Sequence, residues 1–158
     1  MNGEGTLVRK AQSSDAPLLA DISEAVVPTQ HIDLQRFESL LETGGELVYV
    51  AQVQDSVVGF LVLQRQAHPA VPARNPLQLW KLYVLPSFHG TGVAAELMDA
   101  VFGHARSQDH DVVWLGVSEH NERGKSFYRK HGFTAVGTHV VGTAEHSHHD
   151  LVMSCRMR

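Results

Sequence analysis

Three observations place this 158-residue chain in the α/β class, as one domain over residues 1–158. Apolar runs of strand character alternate with stretches whose apolar residues recur at helical spacing. A strand expected over 77–85, a helix over 92–107 and a strand over 112–117 form a β-α-β crossover. Between the first two of these, just after Pro86, lies a turn with two glycines, His89-Gly90-Thr91-Gly92.

The remaining elements follow in order. Thr6 to Ala11 reads as a short strand, and Ser13-Ser14-Asp15 offers helix caps, with Pro17 fitting a first helical turn. Leu18, Leu19, Ile22 and Val26 recur at helical spacing, so a first helix is expected to about Val27, where Pro28 interrupts it. A second helix presents Ile32, Phe37, Leu40 and Leu41 and ends at Gly44-Gly45. Leu47 to Val53 and Val57 to Gln64, joined by Gln54-Asp55-Ser56, predict an antiparallel hairpin. A proline-bearing loop, His68 to Pro76, leads to the central strand. Val93, Ala94, Leu97, Met98, Val101, Phe102 and Ala105 form the apolar stripe of the helix that follows. Val112 to Val117 is apolar enough for burial on both faces. Asn121 can cap a last helix through His131, ended by Gly132, before strands at about Phe133 to Val141 and Asp150 to Met157.

Composition narrows the classes of function. Hydrophobic residues make up 43% and charged residues 19% of the chain, the balance of a soluble globular protein. The net charge of −4 is not the footprint of a general nucleic-acid binder, so no nucleic-acid partner is expected. No run reaches the roughly 18 apolar residues that a membrane span needs, so no membrane partner is expected either. Cys155 is the only cysteine and no apolar leader stands near Met1, which together predict a reducing, cytoplasmic setting. Cys155 itself reads as a strand-packed thiol rather than a nucleophile.

The glycine turn carries the chemistry. Glycine lets the backbone approach a ligand closely, and the first N–H groups of a helix lack internal partners. Those donors and the positive end of the helix dipole suit a phosphate, so His89 to Ala94 is a candidate pyrophosphate cradle.

Two motifs then carry a resemblance. Val84-Leu85-Pro86 followed by His89-Gly90-Thr91-Gly92-Val93-Ala94 resembles the acyl-CoA motif [Q/R]-x-x-G-x-[G/A] of the GNAT superfamily of N-acetyltransferases. Gly92 and Ala94 match, and His89 stands where Gln or Arg is usual. Leu115-Gly116-Val117-Ser118-Glu119-His120-Asn121, then Phe127-Tyr128-Arg129-Lys130-His131-Gly132-Phe133, is similar to the superfamily's L-x-V-x-x-x-N and F-Y-x-x-x-G-F segments. Gly124 replaces a common alanine there, at about 1 kcal/mol in helix propensity. The tail from Phe133 to Met157 is similar to bacterial spermidine/spermine-type enzymes. The resemblance implies a mixed, mostly antiparallel sheet with helices on both faces and a β-α-β core that binds acetyl-CoA.

It also implies roles. The backbone of Leu82, Tyr83 and Val84 would pair with the pantetheine arm, and one N–H there would polarise the thioester carbonyl. The amides of His89, Gly90, Thr91, Gly92, Val93 and Ala94 would hold the pyrophosphate, and Asn121 would bond the pantetheine arm or orient the site. Tyr128 is the expected catalytic acid and a cofactor contact: a phenol near pKa 10 can protonate a leaving thiolate whose reference pKa is near 8.5. The implied reaction is direct attack by a primary amine, a small molecule such as a polyamine, on bound acetyl-CoA. Two alternatives stand beside it: a protein or peptide amine as acceptor, and a non-catalytic acyl-CoA sensor. Many relatives dimerise, which leaves a homodimer open.

The general base stays unassigned. The central strand offers Gln78, Trp80 and Lys81 but no carboxylate, and Glu119, Tyr83 and His120 are weaker candidates. The chain has eleven histidines, among them His146, His148 and His149, yet their spacing lacks the pattern of a closed zinc site. They read as a polar loop between the last two strands, and no metal is expected. Trp80 and Trp114 read as core. A dinucleotide-binding Rossmann domain fails on layout, because its glycine fingerprint opens the first β-α-β unit and is followed by an acidic ribose ligand.

Overall fold

In a computed structural model, which describes residues 5–28, 31–43, 47–141 and 148–157, the expected order of elements is present. The strands are β1 (Thr6–Lys10), β2 (Leu47–Val53), β3 (Ser56–Gln64), β4 (Pro76–Val84), β5 (Val112–Ser118), β6 (Thr134–Val141) and β7 (His148–Arg156). The helices are α1 (Ala16–Val26), α2 (Leu34–Thr43), α3 (Val93–Ser107) and α4 (Glu122–Lys130). One mixed sheet runs in the order β1-β2-β3-β4-β5-β7-β6. The pairs β1–β2, β2–β3, β5–β7 and β6–β7 are antiparallel, and β4–β5 is parallel.

The chain divides into two compact units, residues 1–64 with 80–101 and residues 65–79 with 102–158. In the first, Leu19, Ile22, Phe37, Leu40, Val50, Phe60 and Val62 form a buried cluster, with Phe37 set edge-on to Phe60 at 5.3 Å. Trp80, Tyr83 and Leu85 pack against it from β4 and its end. Several local expectations change here. Ser13–Asp15 forms a short 3-10 turn, and Asp15 does not cap α1 with its side chain. Its carboxylate is buried instead, accepting from Arg9 at 2.9 and 3.0 Å and from the Gln12 N–H at 2.7 Å. Ile32 is buried but precedes α2, because Asp33 opens that helix: its Oδ1 accepts the Arg36 N–H at 2.9 Å. Buried Ser23 Oγ accepts the Ile32 N–H at 2.7 Å and fixes this link. The expected stop at Gly44-Gly45 lies outside the described residues.

In the second unit, Val71, Val112, Trp114 and Val152 form a smaller cluster. Trp114 is core as expected, and its Nε1–H donates to the Gln66 carbonyl at 2.7 Å. Val112 through Leu115 are buried on both faces, whereas Gly116 is exposed. Gly132, at φ 98°, reverses the chain after α4, with the Phe133 N–H bonded to the Tyr128 carbonyl at 3.0 Å. This turn delivers Phe133 to the interior, 6.0 Å from Phe102 in a stacked pair. His148 and His149 belong to β7 rather than to a loop, and His146 lies outside the described residues. Cys155 is half-buried in β7.

Candidate acyl-donor site

The first unit holds one contiguous run of the expected site residues. Gly59 of β3 lets β4 come close, since a Cβ there would stand 2.8 Å from the Tyr83 carbonyl oxygen. The Leu85 N–H donates to the Val58 carbonyl at 2.9 Å. Tyr83 and Leu85 therefore turn their polar groups toward β3, and strand alternation turns the N–H and C=O of Val84 to the opposite edge. At that edge His89 Nε2 lies 3.0 Å from the Val84 carbonyl oxygen. Because that oxygen can only accept, Nε2 carries the proton. His89 thus ties the glycine turn to the end of β4.

Beyond β4, a 3-10 turn (Pro86–Phe88) spends the His89 N–H on the Pro86 carbonyl. Gly90 and Gly92 follow at φ 78° and 94°, and a Cβ on either would meet nothing within 4 Å. These two glycines are required by backbone conformation, and the space around them stays open. The Thr91 hydroxyl donates back to the Phe88 carbonyl, and the Glu96 N–H closes the first turn on the Gly92 carbonyl at 3.1 Å. The amides of Val93, Ala94 and Ala95 stand at the open end of a 15-residue helix, where no intrahelical acceptor exists. Such an end attracts an anion.

Tyr83 sits in this unit as a packed phenol, edge-on to Phe60 at 5.5 Å. Burial pushes its pKa up to about 12, which removes it as a base near neutral pH. Around the neighbouring Trp80 ring stand two cations, Arg36 from α2 at 5.6 Å and Lys81 at 5.1 Å. The sequence gives Trp80 the character of a core residue and hides this pair, because α2 and β4 are far apart along the chain.

Asn121 and Tyr128 belong to the second unit. Asn121 caps α4: its Oδ1 accepts the Gly124 N–H at 2.9 Å. A Cβ on Gly124 would stand 2.6 Å from Asn121 Nδ2, so the glycine that weakens the helix is what lets the asparagine fold over its first turn. Tyr128 is half-buried, with Phe127 at 5.4 Å and Phe133 at 5.8 Å. Glu119 and His120 are exposed, 3.5 Å apart, in the turn before Asn121. Among the described residues no three His, Cys, Asp or Glu side chains group as metal ligands, and no helix is long and apolar enough to cross a membrane.

A β-α-β unit whose glycine turn suits an anion thus lies inside a mixed seven-stranded sheet. The profile of the acetyltransferase (GNAT) family matches residues 15–133, and the chain belongs to that family. It is an acetyl-CoA-dependent N-acetyltransferase. An uncharacterised N-acetyltransferase of Mycobacterium tuberculosis is 36% identical over 118 residues, covering 75% of this chain and 72% of the relative. Among solved structures, Ard1 from Thermoplasma volcanium superimposes with a TM-score of 0.81 at 21% identity, covering 98% of this chain and 99% of that one. The PaiA N-acetyltransferase from Thermoplasma acidophilum, in complex with coenzyme A, gives 0.75 at 16% identity over 96% and 98% of the two chains. At these identities the structural matches establish the shared fold.

Proposed function

We propose that the chain transfers the acetyl group of acetyl-CoA to a primary amine by direct attack, within one domain over residues 1–158 in the cytoplasm. The observation that carries this reading is the Val84–His89–Gly92 arrangement, the end of the central strand β4, past its ladder with β5, running into a positive-φ glycine turn that opens α3. The pantetheine arm lies along Leu82, Tyr83 and Val84 as an added strand, paired through the outward groups of Leu82 and Val84 because those of Tyr83 face β3, and the outward Val84 N–H polarises the thioester carbonyl. The amides from Gly90 to Ala94 hold the pyrophosphate, with His89 fixing the turn through its side chain. Asn121 bonds the pantetheine arm while capping α4, and Tyr128 protonates the departing thiolate. The chemistry needs no metal.

For the acceptor, the likeness of the tail to spermidine/spermine-type enzymes supports a small polyamine. One observation favours a second reading. Arg36 and Lys81 place two positive charges on the Trp80 ring, a setting that repels a polycation and suits an amine carrying a carboxylate, such as an amino acid or a peptide N-terminus. A thiol-release assay with acetyl-CoA against polyamines, amino acids and peptide N-termini decides between them, run with wild type and Tyr128→Phe in parallel. We expect Tyr128→Phe to lower kcat by about 100-fold or more with little change in acetyl-CoA affinity. Equal rates for the two proteins would remove Tyr128 from the reaction. Acetyl-CoA binding without thiol release by wild type, whatever the amine, would make the chain a sensor.

A further inference from the structure

Amide formation needs a group that accepts a proton from the nitrogen as it bonds to the acetyl carbon. β4 offers none, since its polar side chains apart from Tyr83 are Gln78 and Lys81. The unit that carries Asn121 and Tyr128 has five described carboxylates: Asp109, Asp111, Glu119, Glu122 and Asp150. Burial acts to raise the Asp111 carboxyl, but it accepts the Arg74 and Asn75 amides at 2.8 and 2.7 Å, and these hold it below the usual range. Asp109 pairs with Arg74, Glu122 with Lys125 and Glu119 with His120, all on exposed carboxylates.

Asp150 is not without an interaction of its own, and it is its position that sets it apart. The register sets it opposite Ser118 at the C-terminal end of β5 and opposite His139 of β6. Its carboxylate leans over Gly116, where a Cβ would lie 3.3 Å from Asp150 Oδ2 and 3.8 Å from Asp150 Cβ. The acid therefore fills the volume that a side chain at position 116 would claim. Gly116 is exposed between buried Leu115 and Val117, so this carboxylate lies at an accessible point of an otherwise buried strand. Among the described residues the β4–β5 ladder ends at Gln78 and Trp114, and β5 continues beyond it paired to β7. The Asn121 N–H bonds the Ser118 carbonyl at 2.9 Å, so the turn into α4 starts at the residue opposite Asp150.

We infer that Asp150 is the proton acceptor of the transfer, a carboxylate supplied from β7 through the gap that Gly116 leaves in β5. This rests on the transferase reading, with Tyr128 as the acid. The neutral amine attacks the thioester carbonyl carbon, and the C–N bond forms as the carbonyl electrons move to oxygen. The nitrogen, now strongly acidic, passes one proton to Asp150. As the carbonyl reforms, the C–S bond breaks with its electron pair on sulfur, and Tyr128 gives its phenolic proton to that sulfur. The Asp150 acid and the Tyr128 phenolate then reset through solvent, so amine and acetyl-CoA become amide and free thiol with no net proton change.

The test uses the whole protein with the best acceptor from the panel. Asp150→Asn is expected to lower kcat about 100-fold or more, with acetyl-CoA affinity and melting temperature unchanged. Asp150→Ala is expected to regain at least tenfold in rate with added formate, which supplies an external carboxylate. In a second arm, Gly116→Glu combined with Asp150→Ala places a carboxylate in the same volume from β5 and is expected to exceed Asp150→Ala alone. Asp150→Asn with a rate within threefold of wild type overturns the assignment. So does an inactive Asp150→Ala that neither formate nor the relocated carboxylate improves, because that loss is structural. A wild type that binds acetyl-CoA and releases no thiol overturns the transferase reading itself, and the Asp150 role with it.

Discussion

His89 shows how one substitution in a motif can change the means and keep the result. Where a longer amide or guanidinium is usual, the imidazole reaches back 3.0 Å to the Val84 carbonyl and pins the glycine turn to the strand. A single hydrogen bond of this kind contributes about 0.5–1.5 kcal/mol. His89→Ala should therefore weaken acetyl-CoA binding by roughly 2- to 13-fold, measured by titration calorimetry, as the turn loses its tether. His89→Gln keeps a donor of similar reach and should stay near wild type. An alanine variant that binds as tightly as wild type would make the contact incidental. The sequence marks His89 as a departure from the motif, but its partner cannot be read there. That partner follows from the 3-10 turn that brings the ring back over Val84.

At the scale of elements, α4 separates two roles of one residue. Asn121 caps the helix, and Gly124 leaves room for its side chain. Gly124→Ala should gain about 1 kcal/mol of helix propensity and lose about as much when the cap is pushed aside. Stability by urea denaturation should therefore change little, while acetyl-CoA affinity falls if the Asn121 amide also holds the pantetheine arm. Unchanged affinity would confine Asn121 to capping. Local signals of this kind are legible in the sequence: the Asn121 cap, the Gly132 stop and the hairpin turn at 54–55 each follow from one or two residues. What stays hidden depends on contacts between distant segments. Asp33 and Ser23 fix the α1–α2 link, Arg36 reaches Trp80 from another element, and Asp150 meets Gly116 only through the β5–β7 register. No periodicity or spacing along the chain encodes such meetings.

At the scale of the whole molecule, the response to acid follows from the same kind of distant contact. Asp15 reads as a helix cap from its neighbours, yet it is a buried carboxylate held by Arg9 across the end of β1. The hydrogen bonds from Arg9 first, and then that from the Gln12 amide, hold its pKa below the usual carboxylate value despite burial. A carboxyl whose folded pKa lies below its unfolded value adds stability above the unfolded pKa, and that stability is lost as pH falls through the folded one. Asp111 is shifted in the same direction, so both groups act on the same acid limb. Wild type should thus be insensitive to these two groups from neutrality down to about pH 4, near the reference value for Asp, and should lose stability progressively below it. Asp15→Asn should cost about 1.5–3 kcal/mol at pH 7, the range for a hydrogen bond to a charged group, and the gap to wild type should narrow below about pH 4. Urea denaturation of the two proteins at pH 7 and pH 3 checks this. A gap that stays the same at both values would show that the neutral side chain, through its packing, stabilises the fold and that the Arg9–Asp15 charge pair does not.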